Sequence, residues 1–440
     1  METLNLVTKI ITFMFSVLMA YKFLYIIIGV LTKNKKYPAV SSEQYKRYAV
    51  IISARNEAKV IGNLIASLRK QNYNQDLLSI FVVADNCDDN TAQICRELGC
   101  HVYERFDKSK ARKGWALEFL FNNIKKDFGI ESFDGYIFFD ADNVVDKNFV
   151  KNINNAMCAG AKVAIGYRNT KNFQTNIISS AYGIHFCRYA MSTSRARRFL
   201  DTSTNIAGTG FCMEASLLKD GWNCFTLTED AELTINLVSK GVKVEFCESA
   251  EFYDEQPVSF IASCRQRIRW TRGRLGNYFT QLAQMLKGLF SLKTAKEKWS
   301  MYDNLMFMTP ISLFVLILGS IYPITSSIIA LCNGQALPWI LWLKAFGISV
   351  LTNYVTEFFE GLLILIREHS HIRCPIGKQI LYLFCWPWFD LMNIPLLIAS
   401  CFAKPVWKPT VHTDTTKIEQ LEVYSQNSKQ VELEEQNENR

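Results

Sequence analysis

The sequence predicts an α/β domain built on a mainly parallel sheet and joined to α-helical segments long enough to cross a bilayer. Three observations predict it. Short apolar runs alternate with helical periodicity through residues 47–255. Those runs end in polar and charged residues, where the strands of such a sheet present their ligands. Apolar stretches of bilayer length lie outside this region, one before it and three after it.

The 440-residue chain carries 49 Lys and Arg against 41 Asp and Glu, a formal net charge of +8. Many of the cations flank apolar segments, as in Lys33-Asn34-Lys35-Lys36 and Arg367-Glu368-His369. That placement follows the positive-inside rule and argues against nucleic acid as a partner. Thirteen cysteines without a CxxC pair argue against a disulfide framework or a zinc site. His185 and Cys187 are close enough in sequence to form a ligand pair, but a structural role is the simpler reading.

Residues 4–31 are too long for a secretory core and lack a small-residue cleavage site, so 1–32 is expected to be one uncleaved membrane helix. Lys33, Lys35 and Lys36 place residue 33 onward in the cytosol and the N-terminus outside. Tyr48 to Ile52 is an apolar run of buried-strand character. Lys59 to Gln71 is helical, with Ile61, Leu64, Ile65 and Leu68 on one face. Ile80–Ala84 is a second strand, Thr91–Leu98 a second helix ended by Gly99, and Tyr136–Phe139 another strand. These elements belong to a cytosolic domain spanning 45–257.

Residues 258–300 set Arg265, Arg267, Arg269, Arg272 and Arg274 among Phe260, Ile261, Ile268 and Trp270, the make-up of amphipathic helices at a membrane interface. About three further membrane segments lie within 305–403, near 305–331, 338–366 and 377–403. The basic loop Arg367–Lys378 is expected in the cytosol. Four crossings would leave the tail outside, which Lys404 and Lys408 oppose, so a re-entrant last helix is the alternative. The acidic, polar stretch 411–440 reads as disordered. Inside the membrane segments, Glu357 and Glu360 share a helix face, as do Asp390 and Asn393. Such groups line a path for a glycan or a lipid-linked head group, or they form an interhelical network.

Chemistry concentrates at strand ends. Asp140-Ala141-Asp142 follows the apolar Ile137-Phe138-Phe139, and two carboxylates so placed can hold a hard divalent ion beside a diphosphate. Thr228-Glu229-Asp230 is a second acidic cluster. It suits a general base for a sugar hydroxyl, or simply a helix start with a Thr cap and acids favouring the dipole. Gln266-Arg267-Ile268-Arg269-Trp270 offers a phosphate clamp and a flat apolar face for a sugar ring, or a basic interfacial helix with an aromatic anchor.

Asp85, Asp140-Ala141-Asp142, Thr228-Glu229-Asp230 and Gln266–Trp270 together resemble, in order and spacing, the D, DxD, TED and QxxRW signature of processive family 2 glycosyltransferases. That group contains cellulose, chitin, hyaluronan and poly-N-acetylglucosamine synthases. Arg55-Asn56-Glu57 resembles the family's nucleotide-contacting turn. Ala84 to Thr91 resembles its DDGSTDGT stretch with the first Asp replaced by Ala. Gly208-Thr209-Gly210 resembles the loop before TED, and Asp254–Pro257 the EQP element. The resemblance covers about residues 45–275 and the flanking helices. No FxVT-type gating segment follows Trp270 and no cyclic-di-GMP domain is present, which disfavours regulated bacterial cellulose synthase.

The resemblance implies an A-type glycosyltransferase domain, Rossmann-like, with Mg²⁺ or Mn²⁺ and a β-linked product formed by inversion. It implies Asp230 as catalytic base. It places the nucleotide-sugar donor, UDP-linked, on Arg55, Asn56, Glu57, Asp85, Lys113 and Asp140, and the metal on Asp142 and Asp140. It sets Glu229, Gln266, Arg269 and Trp270 toward the diphosphate and acceptor. The expected setting is a multi-pass protein of the cell membrane with a cytoplasmic catalytic domain, a glycan or lipid-linked acceptor, and room for an accessory export subunit. Two other readings stand beside polymer synthesis: single-sugar transfer to a lipid-linked acceptor, and a non-catalytic glycan-binding scaffold, against which the intact Asp140, Asp142 and Asp230 argue.

Overall fold

The computed structural model describes residues 2–336, 339–403 and 412–421. Eight strands form one sheet: β1 (Tyr48–Ala54), β2 (Leu78–Asp85), β3 (His101–Arg105), β4 (Gly135–Asp140), β5 (Val144–Val145), β6 (Val163–Thr170), β7 (Phe211–Glu214) and β8 (Val244–Asp254). Their order is β3-β2-β1-β4-β7-β6-β8-β5. Pairing is parallel from β3 to β4 and between β6 and β8, while β7 runs antiparallel to both its neighbours. The sheet is therefore mainly parallel, as the alternation of strand and helix predicts.

The continuous apolar runs follow from covering both faces. Along β1, Tyr48, Val50, Ile52 and Ala54 face one apolar core, with the helix Ile61–Arg69 and Phe149. Ala49 and Ile51 face the other, with Leu117, Leu120 and Ile124 of the helix Lys113–Asp127. Phe138 on β4 stacks on its cross-strand partner Phe211 at 4.4 Å between ring centroids. Such a pair adds about 0.5–1.5 kcal/mol beyond its buried area and fixes the antiparallel join.

Four helical segments are long and apolar enough to cross a membrane: Leu6–Leu31, Ile311–Cys332, Trp342–Arg367 and Ile376–Phe402. The first consists of two helices meeting at Ala20, Glu2–Met19 and Tyr21–Leu31. The last consists of Ile376–Leu391 and Asn393–Phe402, which meet at Met392. The basic region forms the long helix Phe260–Ser291, followed by Ala295–Met308.

Buried and half-buried arginines clamp the α/β domain to these helices. They come from one stretch around the π-helical turn Tyr189–Arg195. Arg188 pairs with Glu357 at 3.0 Å and Asp390 at 2.8 Å. Arg195 pairs with Glu368 at 2.6 Å and with Glu248 on β8. Arg197 meets Asp303 at 2.6 Å, where the Tyr21 and Tyr25 hydroxyls also donate. Glu357, Glu360 and Asp390 thus join a network through Arg188, and together with Asn393 they also line a cavity, so both alternatives read from the sequence are met by the same residues.

The expectation of disorder from 411 onward does not hold for 412–421; residues 422–440 lie outside the described residues. Ile418 and Leu421, three apart on one helical turn, pack on Val144 and Tyr253. Their two apolar side chains outweigh the local polarity by covering the sheet's outer strands.

Candidate active site

The carboxyl ends of β1, β2 and β4 lie side by side, with Ser53 opposite Asp140 and Ala54 opposite Ala84. Above them opens a cavity of about 1850 Å³ that continues down to the apolar helices. Arg55, Glu57, Asp85, Lys113, Asp140, Asp142, Glu229, Asp230, Gln266, Arg269 and Trp270 all line it. Asn56 is the exception among the expected residues. It adopts φ +59°, and its side-chain oxygen accepts from the Asp88 backbone, so it joins two loops rather than facing the cavity.

Lys113 opens its helix and reaches across to Asp140 Oδ1 at 2.5 Å and the Gly208 carbonyl at 2.9 Å, with Glu229 at 4.0 Å. The Asp140 backbone is pinned by the Thr209 hydroxyl at 2.9 Å, so the loop Gly208–Gly210 and the acidic turn are fixed to each other. Gly210 has φ +66°, and a Cβ there would lie 2.0 Å from Phe252, so only glycine lets this loop approach.

Asp142 differs from Asp140. It is 4 % exposed and has no lysine or arginine ion-paired to it among the described residues. Burial first, then Asp254 and Asp140, push its carboxyl well above the usual range. Its neighbour Asp254, at the end of β8, is held ionised by Arg168 and by amide donors from Asn143 at 2.8 Å and Gln256 at 2.9 Å. A buried carboxyl ion-paired to no lysine or arginine among the described residues, beyond the end of a central strand and facing a cavity, fits a divalent ion.

Glu229 and Asp230 begin the helix Glu229–Val238. The Thr228 side chain makes no cap there; Asn277 of the long helix donates to both its carbonyl (3.0 Å) and its hydroxyl (3.1 Å). This bond, with Gly273 packed against the Thr228 side chain, ties the acidic turn to the helix carrying Gln266, Arg269 and Trp270. Burial raises Asp230, opposed by its bond from the Ala231 backbone at 2.8 Å and by Lys113 and Arg269. Burial likewise pushes Glu229 up to about 7, against Lys113 and with the help of Asp230. Asp85 is already engaged, its Oδ1 held by Arg105 at 2.6 Å and Asn86 at 2.9 Å.

The sequence gives little sign of two further groups. Arg168 lies within β6, lines the cavity and pairs with Asp254. His412, from the supposed tail, lies against Glu57 with Nδ1 at 3.0 and 3.1 Å from the carboxylate oxygens. Its Nε2 is 3.7 Å from Asp142 Oδ2. Burial would discharge this ring, but Asp142 and Glu57 outweigh it and hold its pKa up at about 10.

The chain is 27% identical over 336 residues to a probable glycosyltransferase of Bacillus subtilis, YdaM, covering 72% of this chain and 76% of that one. It is 25% identical over 247 residues to the beta-monoglucosyldiacylglycerol synthase of Synechocystis, covering 54% of this chain and half of that protein. Among solved structures, the mannosyltransferase PcManGT from Pyrobaculum calidifontis, in complex with GDP-Man and Mn²⁺, has the same fold. Its TM-score is 0.55 at 13% identity, over 84% of this chain and 98% of that one. The family described as "Glycosyltransferase like family 2" matches residues 46–273, just over half of the chain and the whole of the site-bearing sheet. This chain therefore belongs to the family 2 glycosyltransferases.

Proposed function

We propose that the protein is an inverting transferase of the cell membrane, moving a sugar from a UDP-linked donor onto the end of a growing β-linked glycan. The observation that carries this reading is the continuous cavity joining Asp230 and Asp142 to the helices Ile311–Cys332 and Trp342–Arg367. An acceptor can then reach the base from the bilayer side while the nucleotide enters from the cytoplasm.

Arg55, Glu57, Asp85 and Lys113 bind the nucleotide and diphosphate side of the donor, beside Asp140. Gln266 and Arg269 face the leaving diphosphate, and Trp270 offers a stacking face to the acceptor sugar. Asp230 takes the proton of the acceptor hydroxyl as its oxygen bonds to the anomeric carbon. The bond to the diphosphate breaks on the opposite face, which inverts the configuration. Mg²⁺ or Mn²⁺, held by Asp142 with Asp140 beside it, would neutralise charge building on the diphosphate.

His412 and Thr413 touch the catalytic domain, so residues 412–421 lie on the same face as that domain. We read the last apolar segment as turning back rather than crossing. A second reading, transfer of one sugar to a lipid acceptor, draws on the apolar cavity wall formed by Ile311, Val315, Leu316, Phe346 and Leu397. Purified protein in lipid, given radiolabelled UDP-sugars, separates the two. A size ladder of water-soluble product supports polymer synthesis. A single labelled species extracted into organic solvent supports the second reading and overturns the first.

A further inference from the structure

We propose that Lys22 and Arg274 bind the phosphate of an anionic membrane lipid, which enters the cavity from the bilayer and presents a hydroxyl to Asp230 as the first acceptor. The proposal rests on the transferase reading above for the role of Asp230.

Lys22 stands inside the apolar segment Leu6–Leu31 and lines the cavity. A cation in such a segment is costly unless it is paired or faces a water-filled path. Lys22 pairs with no carboxylate among the described residues. Asp303 nearby is already taken by Arg197 at 2.6 Å and by the Tyr21 and Tyr25 hydroxyls. Arg274 also lines the cavity, close enough for its charge to act on both Lys22 and Asp230. It rests over the Phe307 ring at 5.7 Å and, among the described residues, pairs with no carboxylate. The neighbouring arginines are engaged: Arg188 with Glu357 and Asp390, Arg197 with Asp303, and Arg267 with the Phe389 carbonyl at 2.7 Å. Two cations without carboxylates, acting on each other in one cavity, call for an anion from outside the chain.

The depth is that of a lipid head group. Tyr21, next to Lys22 in the chain, packs on Tyr25, Trp299 and Tyr302, with ring centroids 5.2, 5.2 and 5.8 Å away. Such aromatic clusters mark the boundary between hydrocarbon and head groups. On the other wall, Trp270 and Arg274 stand one turn apart on the helix Phe260–Ser291. One turn further, Tyr278 meets Phe314 of the helix Ile311–Cys332, at 6.5 Å between centroids. Arg274 therefore lies between Trp270 and the start of a membrane helix. Ile311, Val315 and Leu316 continue the cavity as an apolar wall suited to acyl chains.

A base, then cations, then an apolar wall match a lipid whose phosphate lies between its chains and a free hydroxyl. In the transfer, the lipid's hydroxyl oxygen bonds to the anomeric carbon, its proton passes to Asp230 and the nucleoside diphosphate leaves. The lipid phosphate keeps all its bonds and serves to position the hydroxyl.

The test uses the full chain in phosphatidylcholine vesicles that contain phosphatidylglycerol or dioleoylglycerol, or with soluble glycerol 3-phosphate added. Electron paramagnetic resonance of spin-labelled phosphatidylglycerol reports binding without turnover, in roughly 1 M salt to screen exposed charges. The wild type should immobilise this lipid in preference to spin-labelled phosphatidylcholine. Lys22→Gln and Arg274→Gln should each weaken the preference at least about fivefold. Lys22→Arg should keep most of it, and Arg272→Gln, which removes an exposed cation from the same helix, should leave it unchanged. Thermal unfolding of each variant reports whether it folds. Radiolabelled UDP-sugar should mark phosphatidylglycerol faster than dioleoylglycerol. Equal labelling of dioleoylglycerol, labelling of glycerol 3-phosphate in place of lipid, or an unaltered preference in both Gln variants would overturn the proposal and leave the transferase reading intact. Loss of UDP binding by Arg274→Gln would overturn it by giving Arg274 to the donor diphosphate. Selection of phosphatidylglycerol through Lys22 and Arg274 without nucleotide release from any donor would overturn the transferase reading and the acceptor role with it.

Discussion

Gly114 offers a way to move one active-site group without touching it. It follows Lys113 at the start of its helix, packed on the backbone at Cys224 and Phe225. A Cβ on Gly114 would lie 2.1 Å from the Cys224 carbonyl oxygen and 3.1 Å from Phe225 Cα. Both neighbours are backbone, so no side chain can swing aside. Reaching ordinary contact requires the helix start to retreat by roughly 1 Å or more. Overpacking of this kind costs about 1–3 kcal/mol. The same displacement acts on Lys113, whose ammonium holds Asp140 at 2.5 Å and the Gly208 carbonyl at 2.9 Å. A misplacement of about 1 Å can cost on the order of 10²-fold in turnover. Gly114→Ala should therefore lower both the unfolding temperature and the rate of nucleotide release. Gly276→Ala is the matched control, because a Cβ there meets nothing within 4 Å, on a helix that carries site residues. It should be neutral or stabilising by about 0.5–1 kcal/mol. A Gly114→Ala protein with wild-type stability and turnover would refute the argument that this contact sets the position of Lys113.

Other perturbations reach other parts of the account. Burial raises the Asp230 carboxyl, which must ionise before it can act as base, so turnover should rise with pH along a limb lying above the usual carboxylate range. Glu229→Gln should move that acid limb to lower pH; a wild-type profile flat from pH 5.5 to 8 would contradict the assignment. Trp270→Ala should impair transfer to acceptor more than hydrolysis of the donor, measured as the ratio of product to released nucleotide. Glu368→Ala removes one of the two carboxylates paired with Arg195, in a group where Arg195 is 2 % exposed and Glu368 fully buried. Loss of a partner from such a pair costs about 3–5 kcal/mol, and thermal unfolding in detergent should show it as a lower transition.

The sheet was legible because its strands are continuous apolar runs punctuated by charge, a pattern that needs no tertiary information. The runs Val50-Ile51-Ile52 and Ile137-Phe138-Phe139 announce strands covered on both faces, and Asp85, Asp140 and Asp142 mark the carboxyl ends of the sheet. The ordered motif set also located Asp230 and Trp270 on one cavity, although nearly two hundred residues separate Asp85 from Trp270. What stayed hidden depends on contacts across long sequence separations. Asn56 resembles a nucleotide-binding residue, yet its left-handed backbone turns it toward Asp88. Thr228 resembles a helix cap, yet Asn277 takes its oxygen atoms. Arg188, Arg195 and Arg197 carry no motif, and their partners Glu357, Glu368 and Asp303 lie more than a hundred residues further along the chain. His412 sits in a polar stretch whose only folding signal is the spacing of Ile418 and Leu421, and two apolar residues are too few to distinguish a docked turn from a solvated tail.

The most direct test of the central claim is nucleotide release by the purified protein in lipid, across UDP- and GDP-sugars with Mg²⁺ or Mn²⁺, compared with Asp230→Asn. We predict release from one UDP-sugar, abolished in Asp230→Asn while donor binding is nearly unchanged. Full transfer to acceptor by the Asp230→Asn protein would contradict the account, because the site would then be turning over without its base.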